Sequence, residues 1–162
     1  CNRPRMDQRD PGGRLGPYIE ESQPDMRNLE VFCELCNEGD IIFLLTDGIH
    51  DHLDPRQLGK TPADFGLQGT WELLRPDLTE RLKQTFAIEL LSQILSRSQN
   101  PKAVIDTLLS YSTKVTKAIR DFMTADPKAH APQDKKQYPG SLDHATGFAF
   151  YVGGKQIPPS TK

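Results

Sequence analysis

Ile41-Ile42-Phe43-Leu44-Leu45 sets five large apolar residues in succession, running from a glycine-acid pair, Gly39-Asp40, straight into Thr46-Asp47-Gly48. Successive side chains of a strand point to opposite faces, so a run with no polar interruption is apolar on both. A strand of that kind is expected at the centre of a sheet, covered on both sides, and it therefore demands a layered fold. The run also ends abruptly in carboxylates, because Asp51 and Asp54 follow Asp47 closely. Two readings are open. Asp-Gly after an apolar strand is a common turn, and a strand end is equally a place from which a carboxylate is delivered to a site.

The rest of the chain supplies the other layers. Residues 28–36, NLEVFCELC, favour a strand, and NEGD at 37–40 is a turn, so a hairpin with 41–46 is expected. Asp77 and Glu80 have the spacing of a helix-start capping box, and Leu82, Phe86, Leu90 and Ile94 recur every four residues, which predicts a helix from 77 to about 97. Asn100-Pro101 restarts the pattern with a cap residue and a proline in the first helical position. Val104, Leu108, Tyr111, Val115, Ile119 and Phe122 then mark one face to about 123. So short a connection predicts an antiparallel helical pair. In ATGFAFYV, 145–152, the bulky Phe148, Phe150 and Val152 alternate with Gly147, Ala149 and Tyr151, the pattern of a last strand. Prolines and glycines gather in residues 1–24, 53–76 and 126–140, read as loops or insertions. The resulting division is a domain over 1–152 with a long insertion at about 53–77, a mobile loop at about 126–141, and a polar tail over 153–162.

Bulk properties narrow the class. A chain of 162 residues suits one domain or a large piece of a bigger one. With 22 acidic against 20 basic residues, nothing argues for nucleic acid or an anionic membrane surface. No apolar run approaches the ~20 residues that span a bilayer, so a soluble protein is expected. Three sparse cysteines fit a reducing compartment, cytoplasmic or nuclear, better than a disulfide framework. Cys33 and Cys36 have a metal-like spacing with His50 and His52 beyond them, yet on a strand the two thiols would face opposite sides, so buried or half-buried thiols rather than zinc ligands are expected. The opening at Cys1, followed by proline-bearing polar text, reads as a chain cut from something longer.

The candidate site follows from strand direction. Asp47 closes the central strand and Asp143 precedes the last one. If those strands pair antiparallel, the exit of the first and the entrance of the last share a rim. Convergent carboxylates repel unless a cation lies between them, and hard divalent ions such as Mg²⁺ or Mn²⁺ take oxygen ligands and water. Gly48 would let the backbone pass close to such an ion, and Asp51 could supply another oxygen. The alternative is that both aspartates belong to ordinary turns and lie far apart.

GDIIFLLTDGIHDHLDP resembles the segment of the metal-dependent protein phosphatase family, protein phosphatase 2C, in which an apolar strand leads into Ser/Thr-Asp-Gly-apolar-X-Asp. SLDHATGFAFYV is similar to the family's closing Asp-Asn-X-Thr-apolar strand, and LLSQILSRSQNPKAVIDTLLSYS resembles the helices between the two motifs. The resemblance covers about residues 28–152. It implies an α+β fold, an antiparallel β-sandwich with flanking antiparallel helices, of which this chain holds the C-terminal portion. It implies Asp47 and Asp143 as metal ligands, with Asp51 as an accessory ligand. Two Mn²⁺ or Mg²⁺ ions, with a third in some members, and a phosphoserine or phosphothreonine protein substrate complete what it implies. In such a site paired ions acidify a bridging water and neutralise phosphoryl oxygens, so no covalent nucleophile is needed.

The sequence departs from the family at defined places. It has no acidic Asp-Gly-X-Gly-Gly segment and no upstream Arg-bearing strand, and His144 stands where the family has Asn. A fragment active only with its N-terminal half, or completed by a second chain, is the simplest expectation. A non-catalytic phosphatase-like interaction module, binding a partner through 53–77, is the alternative. A haloacid dehalogenase-type hydrolase requires Asp-X-Asp, and position 49 is Ile, which excludes that chemistry.

Overall fold

The computed structural model describes residues 14–19, 23–25, 31 and 33–154. The chain divides into two compact units, Cys1–Cys36 and Asn37–Lys162. In the first, within the proline- and glycine-bearing stretch expected to be loop, β1 (Arg14–Ile19) pairs antiparallel with β2 (Gln23–Asp25). Pro17 sits opposite Pro24, and neither has an N–H to donate, so the ladder is short and its register shifts on both sides of that pair. Part of the expected strand at 28–36 lies outside the described residues. Val31 and residues 33–36 are irregular and exposed, Leu35 completely so, and among the described residues the apolar run has no hairpin partner there. The turn itself is present: the Asp40 carboxylate accepts from the Asn37 N–H at 2.7 Å.

The second unit carries the apolar run as β3 (Ile41–Leu45). Its partner is β4 (Gly147–Tyr151), antiparallel and in unbroken register from Ile41 opposite Tyr151 to Leu45 opposite Gly147. This is a mixed helix and strand unit around a two-stranded antiparallel sheet. The strands of the second unit are joined through α1 (Asp47–His50), α2 (Pro76–Leu95), α3 (Pro101–Val115) and α4 (Lys117–Ala125). Ile49, Val104 and Leu108 are fully or almost fully buried, and Ile41, Phe43, Leu45, Leu91, Ile94, Leu95 and Leu109 pack around them.

Local chemistry explains the element boundaries. Asn100 caps α3 as expected, its side chain accepting from the Ala103 N–H at 2.9 Å, with Pro101 behind it. The Asp77–Glu80 box does not form. α2 instead starts at Pro76, whose fixed φ suits the first turn, and Asp77 pairs with Arg75 at 2.6 Å. A capping box does occur earlier, where the Asp64 carboxylate accepts from Thr61 N–H and hydroxyl at 2.7 and 2.9 Å. Those bonds hold its carboxyl below the usual range, the backbone bond foremost.

The single helix expected from 101 to 123 is interrupted at Thr116. Its hydroxyl donates back to the Ser112 carbonyl at 2.8 Å, a bond that competes with the helical ladder and bends it. The buried stripe nevertheless continues through Val104, Leu108, Ser112, Thr116 and Ile119. Between β3 and α2, Phe65 stands edge-on to Trp71 and to Phe86 of α2, so the 62–73 segment is anchored to that helix by aromatic contact.

Candidate functional site

The rim forms where the β3–β4 ladder runs out. Thr46 extends the ladder by one residue, its N–H donating to the Thr146 carbonyl at 2.9 Å. Its hydroxyl then accepts from the Thr146 N–H at 2.9 Å and donates to the His144 carbonyl at 3.0 Å. One threonine side chain thus closes both strands beyond their regular ladder. The chain turns at once into α1, with Ile49 and His50 N–H groups donating to the Thr46 carbonyl at 3.0 and 3.1 Å. Only glycine fits after Asp47: a Cβ on Gly48 would stand 2.2 Å from the His144 oxygen.

Asp47 and Asp143 therefore emerge from two segments held against each other. The loop 143–146 lies directly on the start of α1. Each carboxylate also accepts from the next backbone N–H: Asp47 Oδ1 from Gly48 at 2.9 Å, Asp143 Oδ1 from His144 at 2.7 Å. That arrangement leaves the second oxygen of each for another partner. Both side chains are exposed. Asp51 opens the tight turn Asp51–Leu53 and is half-buried. His144 is fully solvent-exposed, its Nδ1 3.7 Å from Asp143, a contact that becomes an ion pair only when the ring is protonated.

His52 braces this arrangement, a role that no motif in the sequence announced. It is 2% exposed, and its Nε2 lies within hydrogen-bond distance of both the Ser141 carbonyl (3.1 Å) and the Ser141 N–H (3.2 Å). The imidazole thereby fixes the backbone two residues before Asp143. Tyr111 of α3 donates to the His52 carbonyl at 3.2 Å, and burial pushes its phenol up from the usual range. A cleft of about 190 Å³ opens beside Asp143, walled by Gly48, His52, Ser112, Thr116 and Arg120; Asp47 is not part of it.

A Mn²⁺ or Mg²⁺ ion takes about six ligands in an octahedron, mostly oxygens, several of which are commonly water. Among the described residues no group of three or more His, Cys, Asp or Glu side chains converges to hold a metal. The rim offers two carboxylates, each with one oxygen already engaged by the backbone. The described residues alone do not make a metal centre. Cys33 and Cys36 join no such group either; they are free thiols, exposed rather than buried as expected because residues 33–36 form no strand.

The chain is 29% identical over 130 residues to the PP2C-like domain-containing protein CG9801 of Drosophila melanogaster, a match covering 80% of this chain and 16% of that protein. The chain thus spans about a sixth of the curated relative's length. No family model matches, and no solved structure matches. The similarity supports a distant PP2C-like relationship, in keeping with the two motifs that meet at the rim.

Proposed function

We propose that this chain is the later part of a metal-dependent phosphatase of the protein phosphatase 2C type, acting on phosphoserine and phosphothreonine in proteins. Asp47 and Asp143 would contribute two carboxylates to a pair of Mn²⁺ or Mg²⁺ ions, with Asp51 as an accessory ligand. The remaining ligands would come from an N-terminal half of the domain or from a second chain. The observation that carries this reading is the Thr46 hydroxyl bridge to residues 144 and 146, which ties the starts of both aspartate-bearing segments to one sheet rim.

The same proposal gives the outer face of the sheet a purpose. Ile42, Leu44, Phe148 and Phe150 alternate outward along β3 and β4, and a second β-layer over them would complete a sandwich. Leu44 at 63% and Phe148 at 62% exposure are too large and too apolar for a settled solvent face.

The test uses the protein carrying the whole phosphatase-like domain. Mn²⁺ titration by calorimetry should show binding that weakens at least about tenfold in Asp47→Asn and in Asp143→Asn, with the unfolding midpoint unmoved. Mn²⁺-stimulated hydrolysis of an aryl phosphate should fall with it. Unchanged metal affinity in both variants would reject the ligand assignment. A second reading, a phosphatase-like interaction module without catalysis, draws on the lack of a three-group cluster among the described residues. It expects no metal heat and no hydrolysis in that same protein.

A further inference from the structure

A second cleft, of about 360 Å³, lies on the 54–57 turn and is lined by Asp54, Arg56, Gln57, Lys83, Gln133 and Lys135. Every one of those side chains is polar or charged, three are cationic and one is anionic. An apolar ligand has nothing to bury there. We propose that this cleft binds a phosphate monoester dianion, carried on a peptide or free in solution. It would do so independently of Asp47 and Asp143 and of any phosphatase activity.

The walls come from three separate parts of the chain and are locked together through the backbone. The Gly140 N–H donates to the Gln57 carbonyl at 2.7 Å, joining the 55–59 turn to the 134–140 loop. Gly59, at φ +70°, sits so close that a Cβ would lie 2.5 Å from the Lys135 oxygen. Tyr138 then stacks edge-on against Phe122 of α4, which fixes the same loop from the other side. The third wall is α2, held through Lys83.

Charge accounting favours an anion. Asp54 is saturated: one oxygen accepts from Lys83 Nζ at 2.6 Å and the other from the Arg56 N–H at 2.7 Å. That pair is three-quarters buried and neutralises itself. Among the described residues, Lys135 Nζ reaches a neutral partner, the Gly140 carbonyl at 2.7 Å, and no hydrogen-bonded carboxylate compensates its charge. Arg56 contacts Glu72 at 3.1 Å, but both side chains are about half or more exposed, and such a pair is weak enough to exchange for a better partner. The lining residues sum to a charge of about +2, which matches a phosphate monoester better than a carboxylate. An arginine fork, an ammonium group and two carboxamides offer it several donors at once.

The experiment titrates the 162-residue chain with inorganic phosphate, a phosphoserine peptide and the same peptide unphosphorylated, followed by amide chemical shifts. Both phosphate-bearing probes should shift Arg56, Gln57 and Lys135, and the unphosphorylated peptide should not. Tighter binding of the phosphopeptide than of inorganic phosphate would assign the site to modified proteins; equal binding would assign it to the free anion. Among the described residues Arg56→Gln removes the exposed Glu72 pair alone, and it should leave the fold intact while weakening both ligands at least about tenfold. Lys135→Gln should do the same, its fold checked by thermal melting, whereas Lys102→Gln on the exposed face of α3 should change nothing. No shift at Arg56, Gln57 and Lys135, or equal affinity in wild type and Arg56→Gln, would overturn the proposal. In the protein carrying the whole phosphatase-like domain, loss of metal binding in Asp47→Asn with phosphate binding at Arg56, Gln57 and Lys135 retained would separate this site from the rim.

Discussion

The two faces of the β3–β4 pair are built from similar amounts of apolar side chain and meet opposite surroundings. Inward, Ile41, Phe43 and Leu45 of β3 pack on the Ile49–Val104–Leu108 core, and β4 contributes only the small Gly147 and Ala149 beside Tyr151. Outward stand Ile42, Leu44, Phe148 and Phe150, the last three exposed. The bulky face of the last strand is thus the uncovered one. Small residues on the inner face let α3 come down onto the sheet, where a Cβ on Gly147 would lie 2.9 Å from Ile105 Cδ1. A strand's packed face is therefore marked by how closely its neighbour must approach, and not by where its largest residues lie.

The comparison is broken most severely from the inside. Leu108 is fully buried, so Leu108→Ala should cost roughly 2–5 kcal/mol. Urea unfolding measures it, and a cost under about 1 kcal/mol would mean that the inner face is not the core. Next comes the rim that ends both faces. Gly48→Ala forces a methyl into the 144–145 backbone and should cost about 3 kcal/mol. A wild-type melting curve for that variant would show that the two aspartate segments are not clamped together. The smallest effect is expected outside: Phe148→Ser should change stability of the 162-residue chain by less than about 0.5 kcal/mol. A loss comparable to Leu108→Ala would instead show that the outer face is covered, and would reverse the contrast.

Much of the element content was legible in the residues themselves. The β3 run, the two long helices, the Asn100 cap and the alternating last strand all express short-range patterns, with period two or 3.6, that need no partner to be read. The errors have a common origin in partner choice. Residues 28–36 have strand composition, but composition does not name a neighbour, and β3 took β4 from the far end of the chain in place of a hairpin. The helix break at Thr116 turned on one hydroxyl choosing a backbone acceptor. His52 was read beside Cys33 and Cys36 because of its spacing. Its brace on Ser141 spans 89 residues and leaves no local trace.

The candidate site divides in the same way. Asp47, Gly48, Asp51 and Asp143 stood out as residue types at strand ends, and the antiparallel pairing needed to bring 47 and 143 to one rim was a consequence of strand direction. That the Thr46 hydroxyl would carry the pairing past the ladder, and that Gly48 would lie flat on the His144 carbonyl, required coordinates.

Amino-acid order alone determined the strands at Ile41–Leu45 and Gly147–Tyr151 and the helices that begin near residues 76 and 100, since those periods are set by backbone geometry within a few residues. The expected cover of β3 on both faces is met on the inner face alone, since Leu44 on the outer face is 63% exposed. Only the tertiary structure decided which face of β4 meets α3, which side chains hold the aspartate segments, and that two lysines and an arginine from three distant stretches share one polar cleft. Such choices depend on distances between atoms far apart along the chain, where local propensity exerts no force.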